Sequence, residues 1–360
     1  MRYRLKTLPI RPTATALAIG AVGGAVATWV GLPLAWMLGA MLATLAAGLA
    51  GVRASVPMGL RQPVMIVLGV SIGSSFSPGA LAHIADWPWS LAAVAALAPV
   101  STWLAARYYA HAAGFDGVTA LFSATPGGLS SMILIGGASG GDERLIAVSQ
   151  GLRVFVIVLL IPLAVDAFTP LSEARAHLDG AAARSADLAQ WLVLVLGVGA
   201  GVVVARLIHL PAPQLTGAMG ASAALHLTGA TTVVLPALLL QVGLWIVGSA
   251  VGAQFAGFAP RTLFAVARHA VIVALMLIAL AAVVAVGLGA ILHLDYLAMV
   301  LAFVPGGITE MCLIAVVLDV DPAFVAVHHL LRLLLILFLA PVVGAMAKRR
   351  ALAKLALPDR

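Results

Sequence analysis

The chain is a succession of long apolar stretches separated by short polar segments, and two of these stretches are interrupted near their middle. The first interruption is Thr125-Pro126-Gly127-Gly128, and the second is Pro305-Gly306-Gly307. Apolar sequence resumes directly after each of them. Several stretches approach the roughly 20 apolar residues that a helix needs to cross a bilayer. The pattern therefore predicts an all-α polytopic membrane protein, surrounded by lipid, with one Pro-Gly-Gly interrupted helix in each half.

The composition supports lipid as the main solvent. Only 9% of the residues are charged and 63% are apolar, whereas a soluble domain has about 25% charged residues. The net charge of +7 comes from cations at the chain ends and in loops, which predicts cytoplasmic termini rather than a direct contact with nucleic acid. The basic segment Met1–Arg11 precedes an apolar stretch that runs on into a second one, which favours a signal-anchor helix over a cleaved signal peptide.

Two halves of the sequence correspond to each other. Leu32-Pro33 is matched by Leu210-Pro211 at an offset of 178, and Pro126-Gly127-Gly128 is matched by Pro305-Gly306-Gly307 at an offset of 179. Internal repeats of this kind are typical of secondary transporters. We therefore predict two homologous, transporter-like helical repeats of about five to six membrane elements each. They occupy residues 1–167 and 190–347, with a hydrophilic linker at 168–189 and a basic cytoplasmic tail at 348–360.

The direction of the second repeat stays open. An even number of crossings per half would make the repeats parallel and would place both basic termini on one side. Loop arginines such as Arg206 and Arg261 favour an inverted repeat instead, which requires an odd number of crossings in each half. One short element per half, around the Leu-Pro segments, would then be re-entrant. A homo-oligomer is also left open by the sequence.

The interruptions predict a polar site at membrane depth. Proline and paired glycines release backbone groups from the helix, and such groups are tolerated in a membrane only when they are buried in protein or line a water-filled cavity. The half-helix that follows presents free N–H groups and a positive dipole end, which suits an anion. A plain packing kink is the alternative interpretation. The candidate solute-binding or ion-binding residues at the two interruptions are Thr125, Pro126, Gly127, Gly128, Ser130, Ser131, Pro305, Gly306, Gly307, Thr309 and Glu310.

One arginine follows each interruption at the same offset of 179. Arg153 and Arg332 lie well inside apolar stretches, where insertion of an arginine costs about 2.5–3.5 kcal/mol, so each should face the protein interior. Gln150 and His329 lie three residues earlier and share a helical face with them. Two interpretations stay open: the arginines bond backbone carbonyls freed by the interruptions, or they contact a solute.

Glu310 has no acidic counterpart in the first half, where Ser131 stands. It is a candidate proton-coupling group or an ion-pair partner of one arginine. The nine histidines are scattered and Cys312 is the single cysteine, so the sequence predicts no metal site, no cofactor and no intrachain disulfide. No Walker loop, nucleophile elbow or dinucleotide fingerprint is present, and we predict no enzymatic activity and no catalytic residue.

These motifs resemble the duplicated unit of the bacterial AbrB-type membrane proteins. The resemblance covers almost the whole chain and is carried by the segments Leu38–Met41, Ala124–Gly128, Gln214–Met219 and Phe303–Met311. It implies a multi-pass protein of the bacterial inner membrane. The layout is also similar to that of the cation-proton antiporters and bile-acid symporters, whose interrupted helices cross at the ion site. The antiporters carry an Asp-Asp or Asn-Asp pair after the first interruption, whereas this chain has Ser149-Gln150 near there.

Three functions follow from the residues and the resemblance. The first is a secondary transporter of a small, anionic solute that is bound by two crossed interrupted helices. The second is a membrane-embedded regulator of gene expression that acts indirectly through a partner, since no soluble basic domain for DNA is present. The third is an ammonia monooxygenase, a label that the family carries, but such an enzyme requires clustered imidazole or carboxylate ligands that the sequence does not offer.

Overall fold

The computed structural model describes residues 10–76, 87–168, 187–258, 260–318 and 320–355, excluding the side chains of residues 129, 130, 168 and 340–355. Within these ranges the chain forms fourteen α-helices and no strand. Most of the predicted linker at 168–189, the cations before Arg11 and residues 356–360 lie outside the described part. The predicted basic tail begins within the last helix.

The helices divide evenly between the two halves of the chain. The first half contains α1 (Ile10–Val30), α2 (Ala35–Leu49), α3 (Met58–Ser74), α4 (Trp87–Ala112), α5 (Gly117–Ala124), α6 (Leu129–Ala138) and α7 (Glu143–Phe168). The second half contains α8 (Leu188–Leu207), α9 (Pro213–Leu227), α10 (Ala237–Ala253), α11 (Pro260–Leu292), α12 (Tyr296–Phe303), α13 (Ile308–Val317) and α14 (Pro322–Leu355).

Six of these helices are long and apolar enough to cross a bilayer, namely α1, α4, α7, α8, α11 and the first part of α14. Large apolar side chains such as Trp29, Leu196 and Val283 are exposed on them, which suits contact with lipid rather than water. The described helices α2, α3, α10 and α13 are apolar but shorter. The chain is therefore an all-helical, polytopic membrane protein, as predicted.

The helix bounds of the two halves correspond at the offsets found in the sequence. Both ends of α9 follow those of α2 at the offset that separates the two Leu-Pro segments. Both ends of α10, α12 and α13 follow those of α3, α5 and α6 at the offset that separates the two Pro-Gly-Gly segments, and the start of α14 follows that of α7 in the same way. This correspondence is what the predicted duplication requires, and the relative direction of the two repeats stays a prediction.

The helices group into two compact units that do not coincide with the two predicted repeats. Unit 1 contains α1–α3 and α8–α10, together with the end of α7 and much of α13. Unit 2 contains α4–α6, most of α7, α11, α12, the first turn of α13 and nearly all of α14. Each unit therefore takes helices from both halves of the chain, and both predicted interruptions lie in unit 2.

Unit 1 is assembled by reciprocal helix contacts. A Cβ atom added at Gly69 of α3 would lie 2.5 Å from the carbonyl oxygen of Leu215 in α9, and one added at Gly248 of α10 would lie 2.3 Å from that of Met37 in α2. The same arrangement repeats one turn further on, at Gly73 with Met219 and at Gly252 with Met41. These contacts pair residues that correspond between the two halves, as the predicted duplication requires. Backbone contact at such distances admits only glycine.

A second glycine contact joins the neighbouring helices within each half. Gly23 of α1 faces Gly39 of α2, and Gly201 of α8 faces Gly217 of α9, again at an offset of 178. The turns that precede α2 and α9 both place a non-glycine residue in the left-handed region, Leu34 with φ 46° and Ala212 with φ 48°. Small residues at helix interfaces are the usual means by which membrane helices approach each other.

Two glycines of α8 provide a matched test of this packing. A Cβ atom at Gly201 would lie 2.5 Å from the Gly217 carbonyl oxygen and 2.6 Å from Cβ of Ala221, whereas one at Gly199 would meet nothing within 4 Å. We expect Gly201→Val to destabilise the purified protein by about 1–3 kcal/mol or more, as overpacking does, and Gly199→Val to have little effect. The thermal unfolding midpoint in detergent measures both. Equal midpoints for the two variants would contradict the close helix contact.

Candidate functional site

Both predicted interruptions are real breaks between helices of unit 2. The first break is Thr125–Gly128, between α5 and α6, and its end residues have extended backbone, with ψ of 122° at Thr125 and 127° at Gly128. The second break is Val304–Gly307, between α12 and α13, and Val304 has ψ of 130°. Each break therefore leaves the last carbonyl groups of one short helix and the first N–H groups of the next without helical partners.

Aspartates fix where the surrounding helices begin. The carboxylates of Asp116 and Asp295 accept hydrogen bonds from first-turn N–H groups of α5 and α12. Asp142 and Asp321 do the same for α7 and α14. Such caps set the register of each helix. They consequently fix the position along α7 and α14 of the polar side chains that reach the breaks.

Two side chains of α7 bond the carbonyl groups at the first break. The Gln150 amide donates from Nε2 to the carbonyl oxygens of Phe122, at 2.6 Å, and Thr125, at 2.8 Å. Arg153 donates from Nη1 to the carbonyl oxygen of Ala124, at 2.8 Å, and from Nη2 to Oε1 of Gln150, at 2.7 Å. The end of α5 is thus satisfied by side chains, and the positive guanidinium lies at the negative end of the α5 dipole.

Two side chains of α14 do the same at the second break. His329 Nε2 lies 2.9 Å from the carbonyl oxygen of Leu301, and His329 Nδ1 lies 2.8 Å from Nη2 of Arg332. A carbonyl only accepts and a guanidinium only donates, so His329 is neutral with its proton on Nε2. Arg332 also donates from Nη1 to the carbonyl oxygen of Val304 and from Nη2 to that of Gly306, both at 3.0 Å.

The arginines therefore bond carbonyl groups freed by the breaks, which is one of the two interpretations that the sequence left open. Direct contact of Arg153 or Arg332 with a solute stays a prediction. Helix α14 also contacts the helices of the first break, because Ile336 packs in one apolar cluster with Phe122 of α5 and Met132 of α6. Both breaks and both arginines belong to unit 2.

The charge at the first break is not balanced within the described part of the chain. The Arg153 side chain is only 1% exposed, and no carboxylate of the described residues forms an ion pair with it. Its Nε–H group has no hydrogen-bond partner among these residues. A buried charge without an opposite charge is costly, so Arg153 favours the approach of an anion.

The two breaks differ at the start of the helix that follows. Glu310 is the third residue of α13, is 5% exposed, and lies with its carboxylate directly beside Gly307. A carboxylate in this position stabilises the positive end of a helix. The third residue of α6 is Ser131, which is half-buried, and Gly128 before it is exposed. The start of α6 therefore has no carboxylate at that position.

The remaining predicted site residues lie within the breaks or in the first turn of the helix that follows. The Thr125 hydroxyl donates to the Leu121 carbonyl oxygen within its own helix, at 2.8 Å. Thr309 is buried in the first turn of α13, and Pro126 and Pro305 are buried within their breaks. The side chain of Ser130 lies outside the described part. The described residues contain no group of three or more His, Cys, Asp or Glu that could hold a metal ion.

Several buried polar residues of unit 2 were not predicted as part of the site. His328 bonds the Phe324 carbonyl oxygen through Nδ1 at 2.7 Å and the Ser90 hydroxyl through Nε2 at 2.8 Å, and it packs on the Phe324 ring at 3.9 Å. Tyr109 and Ser123 are also buried near the first break. Ser149 and His328, each four residues before an arginine on one helical face, had a signal in the sequence.

An all-helical membrane protein with two broken helices, each bonded by a buried arginine, is the class that this fold and site define. The model of the family described as "Transition state regulatory protein AbrB" matches residues 36–348, and the chain belongs to this family. It is 28% identical over 326 residues to "Putative regulator AbrB" of Escherichia coli (strain K12), covering 87% of this chain and 90% of that protein. It is 27% identical over 348 residues to "Uncharacterized protein YhjN" of Bacillus subtilis (strain 168), covering 90% of each.

Substitution of Gln150 tests how much its hydrogen bonds to the break carbonyls stabilise the protein. Gln150→Leu leaves two buried carbonyl groups without a partner, and we expect it to destabilise the protein by about 1–3 kcal/mol for each group. Gln150→His copies the second break, where His329 bonds the equivalent carbonyl, and should cost less than Gln150→Leu. Thermal unfolding in detergent compares the two. A Gln150→Leu variant as stable as the wild type would show that these hydrogen bonds contribute nothing.

Proposed function

We propose that this protein is a secondary transporter of a small anionic solute, which binds at the first break. The observation that carries the proposal is the buried guanidinium of Arg153, which has no carboxylate partner among the described residues. Burying a charge in this way is unfavourable unless an opposite charge joins it. The protein supplies the cation, and the solute supplies the anion.

The start of α6 supports the same location. Its first N–H groups have no helical partner and carry the positive end of the helix dipole. Gly128 is exposed there, and exposed backbone at membrane depth is tolerated only where it lines a water-filled space. At the second break the equivalent place holds the Glu310 carboxylate. The chain therefore provides its own anion at one break, and we propose that the solute provides it at the other.

Transport rather than static binding is favoured by the breaks themselves. A continuous helix would satisfy its own backbone, whereas each break here needs two buried polar side chains to bond its carbonyls. Discontinuous membrane helices whose N-termini point at anionic groups are the usual sites of secondary transporters. Glu310 is in this proposal a candidate proton-coupling group, because it is a buried carboxyl beside the same kind of helix start.

A second candidate is a membrane-embedded regulator of gene expression. The description of the family and the printed name of the Escherichia coli relative favour it. The described residues form helices joined by short segments and are mostly apolar, so regulation would be indirect, through a partner protein. Binding of an anion without movement across the bilayer, together with capture of a defined partner, would favour this function over transport.

The substitution Ser131→Glu tests the transporter. It places a tethered carboxylate at the start of α6, at the position that corresponds to Glu310 in α13. We expect it to occupy the anion site and to lower uptake of radiolabelled small anions into proteoliposomes by at least about tenfold, which corresponds to about 1.4 kcal/mol of lost binding. Ser131→Gln has nearly the same size without the charge and should keep most of the uptake.

Two further outcomes decide the matter. No uptake by the wild type across a panel of carboxylates and inorganic anions, in vesicles with and without a proton gradient, would contradict transport. Equal uptake by Ser131→Glu and Ser131→Gln would contradict an anion site at the start of α6. Both variants are first compared with the wild type by size-exclusion chromatography, so that loss of folded protein is not taken for loss of function.

A further inference from the structure

Four buried polar atoms beside the first break have no hydrogen-bond partner among the described residues. They are the hydroxyls of Tyr109 in α4, Ser123 in α5 and Ser149 in α7, and Nε of Arg153 in α7. The first three residues are 0% exposed and Arg153 is 1% exposed. The packing of unit 2 thus encloses four hydrogen-bonding atoms that its own side chains and backbone leave unbonded.

These atoms form one cluster, which we call the unbonded polar cluster. Tyr109 packs against Ala120 and Ala124 of α5. Its hydroxyl lies next to that of Ser149 and within electrostatic range of Arg153. The backbone carbonyl of Ser123 is 3.4 Å from Nη1 of Arg153. Helices α4 and α7 therefore direct polar groups to one place behind the first break, and Ser123 of α5 lies beside Arg153 there.

The cluster is unfavourable in this conformation. An unsatisfied buried hydroxyl or N–H group costs about 1–3 kcal/mol. The helix packing does not require these groups, since Leu288 and Ala302 correspond to Tyr109 and Ser123 in the second half. His328 corresponds to Ser149, and both of its ring nitrogens are bonded. The second half thus builds the corresponding helices with no hydroxyl at these three positions.

We propose that Tyr109, Ser123, Ser149 and Arg153 form the polar wall of the solute path in a second conformation, where they are hydrated and bind an oxyanion. All four groups can donate a hydrogen bond, one is cationic, and no described carboxylate pairs with it. This donor set suits a carboxylate or another oxyanion. The identity of the ligand rests on the proposed function, whereas the opening of the cluster to water does not.

Cysteine accessibility tests the opening. In a Cys312→Ala background, Ser123→Cys and Ser149→Cys are each reacted in lipid nanodiscs with a charged, water-soluble methanethiosulfonate reagent. A minor conformation is commonly populated to about 0.1–10%, so each cysteine should react at about that fraction of the rate of an exposed cysteine at Ser75. Ala302→Cys is the matched control, because Ala302 is also 0% exposed and corresponds to Ser123.

We expect Ser123→Cys and Ser149→Cys to react faster than Ala302→Cys, and the anionic reagent to react faster than the cationic one. Rates at both serine positions no greater than at Ala302→Cys would overturn the opening of the cluster. Faster reaction with the cationic reagent would overturn the oxyanion assignment. Reactive cysteines in a protein that moves no anion would leave the opening of the cluster standing and refute the transporter, so the two failures are distinguishable.

Discussion

The structure depends on one constraint: lipid offers no hydrogen bond to an exposed backbone carbonyl. A helix that is interrupted at membrane depth must therefore find its partners inside the protein. Gln150 and Arg153 supply them for the first break, and His329 and Arg332 for the second. The aspartate caps of α7 and α14 follow from the same constraint, because they hold these side chains at the depth of the carbonyls.

The two breaks meet this constraint with different donors. An amide has two N–H donors, so Gln150 bonds two carbonyls of the first break. A neutral imidazole has one, so His329 bonds a single carbonyl of the second break. Three buried hydroxyls near Arg153 also have no hydrogen-bond partner among the described residues. The corresponding positions of the second half, Leu288, Ala302 and His328, carry no hydroxyl.

The breaks and the side chains that bond them could largely be predicted from the sequence, because they depend on residues close together in the chain. Pro-Gly-Gly in an apolar stretch marks a break, and residues three apart on a helix share a face, which pairs Gln150 with Arg153. Tyr109 and Ser123 could not be found in this way, since they lie on other helices and meet Arg153 only after packing. The two compact units were also beyond prediction. They join α1–α3 with α8–α10 through contacts between residues far apart in the chain, and no periodicity reports such contacts.

The backbone contacts at glycines restrict the sequence more strictly than the hydrogen bonds at the breaks. Where backbones touch, as at Gly69 and Gly248, only glycine fits, so both halves carry the same residue. Where a carbonyl needs a donor, any side chain with a suitable N–H group suffices, so glutamine can stand in one half and histidine in the other. Substitutions that make the two halves differ therefore destabilise the protein less at the breaks than at the glycine contacts. The predicted duplication would in this way combine matching glycine contacts in unit 1 with breaks that differ in unit 2. One break has a carboxylate of its own, and the arginine at the other forms no ion pair among the described residues.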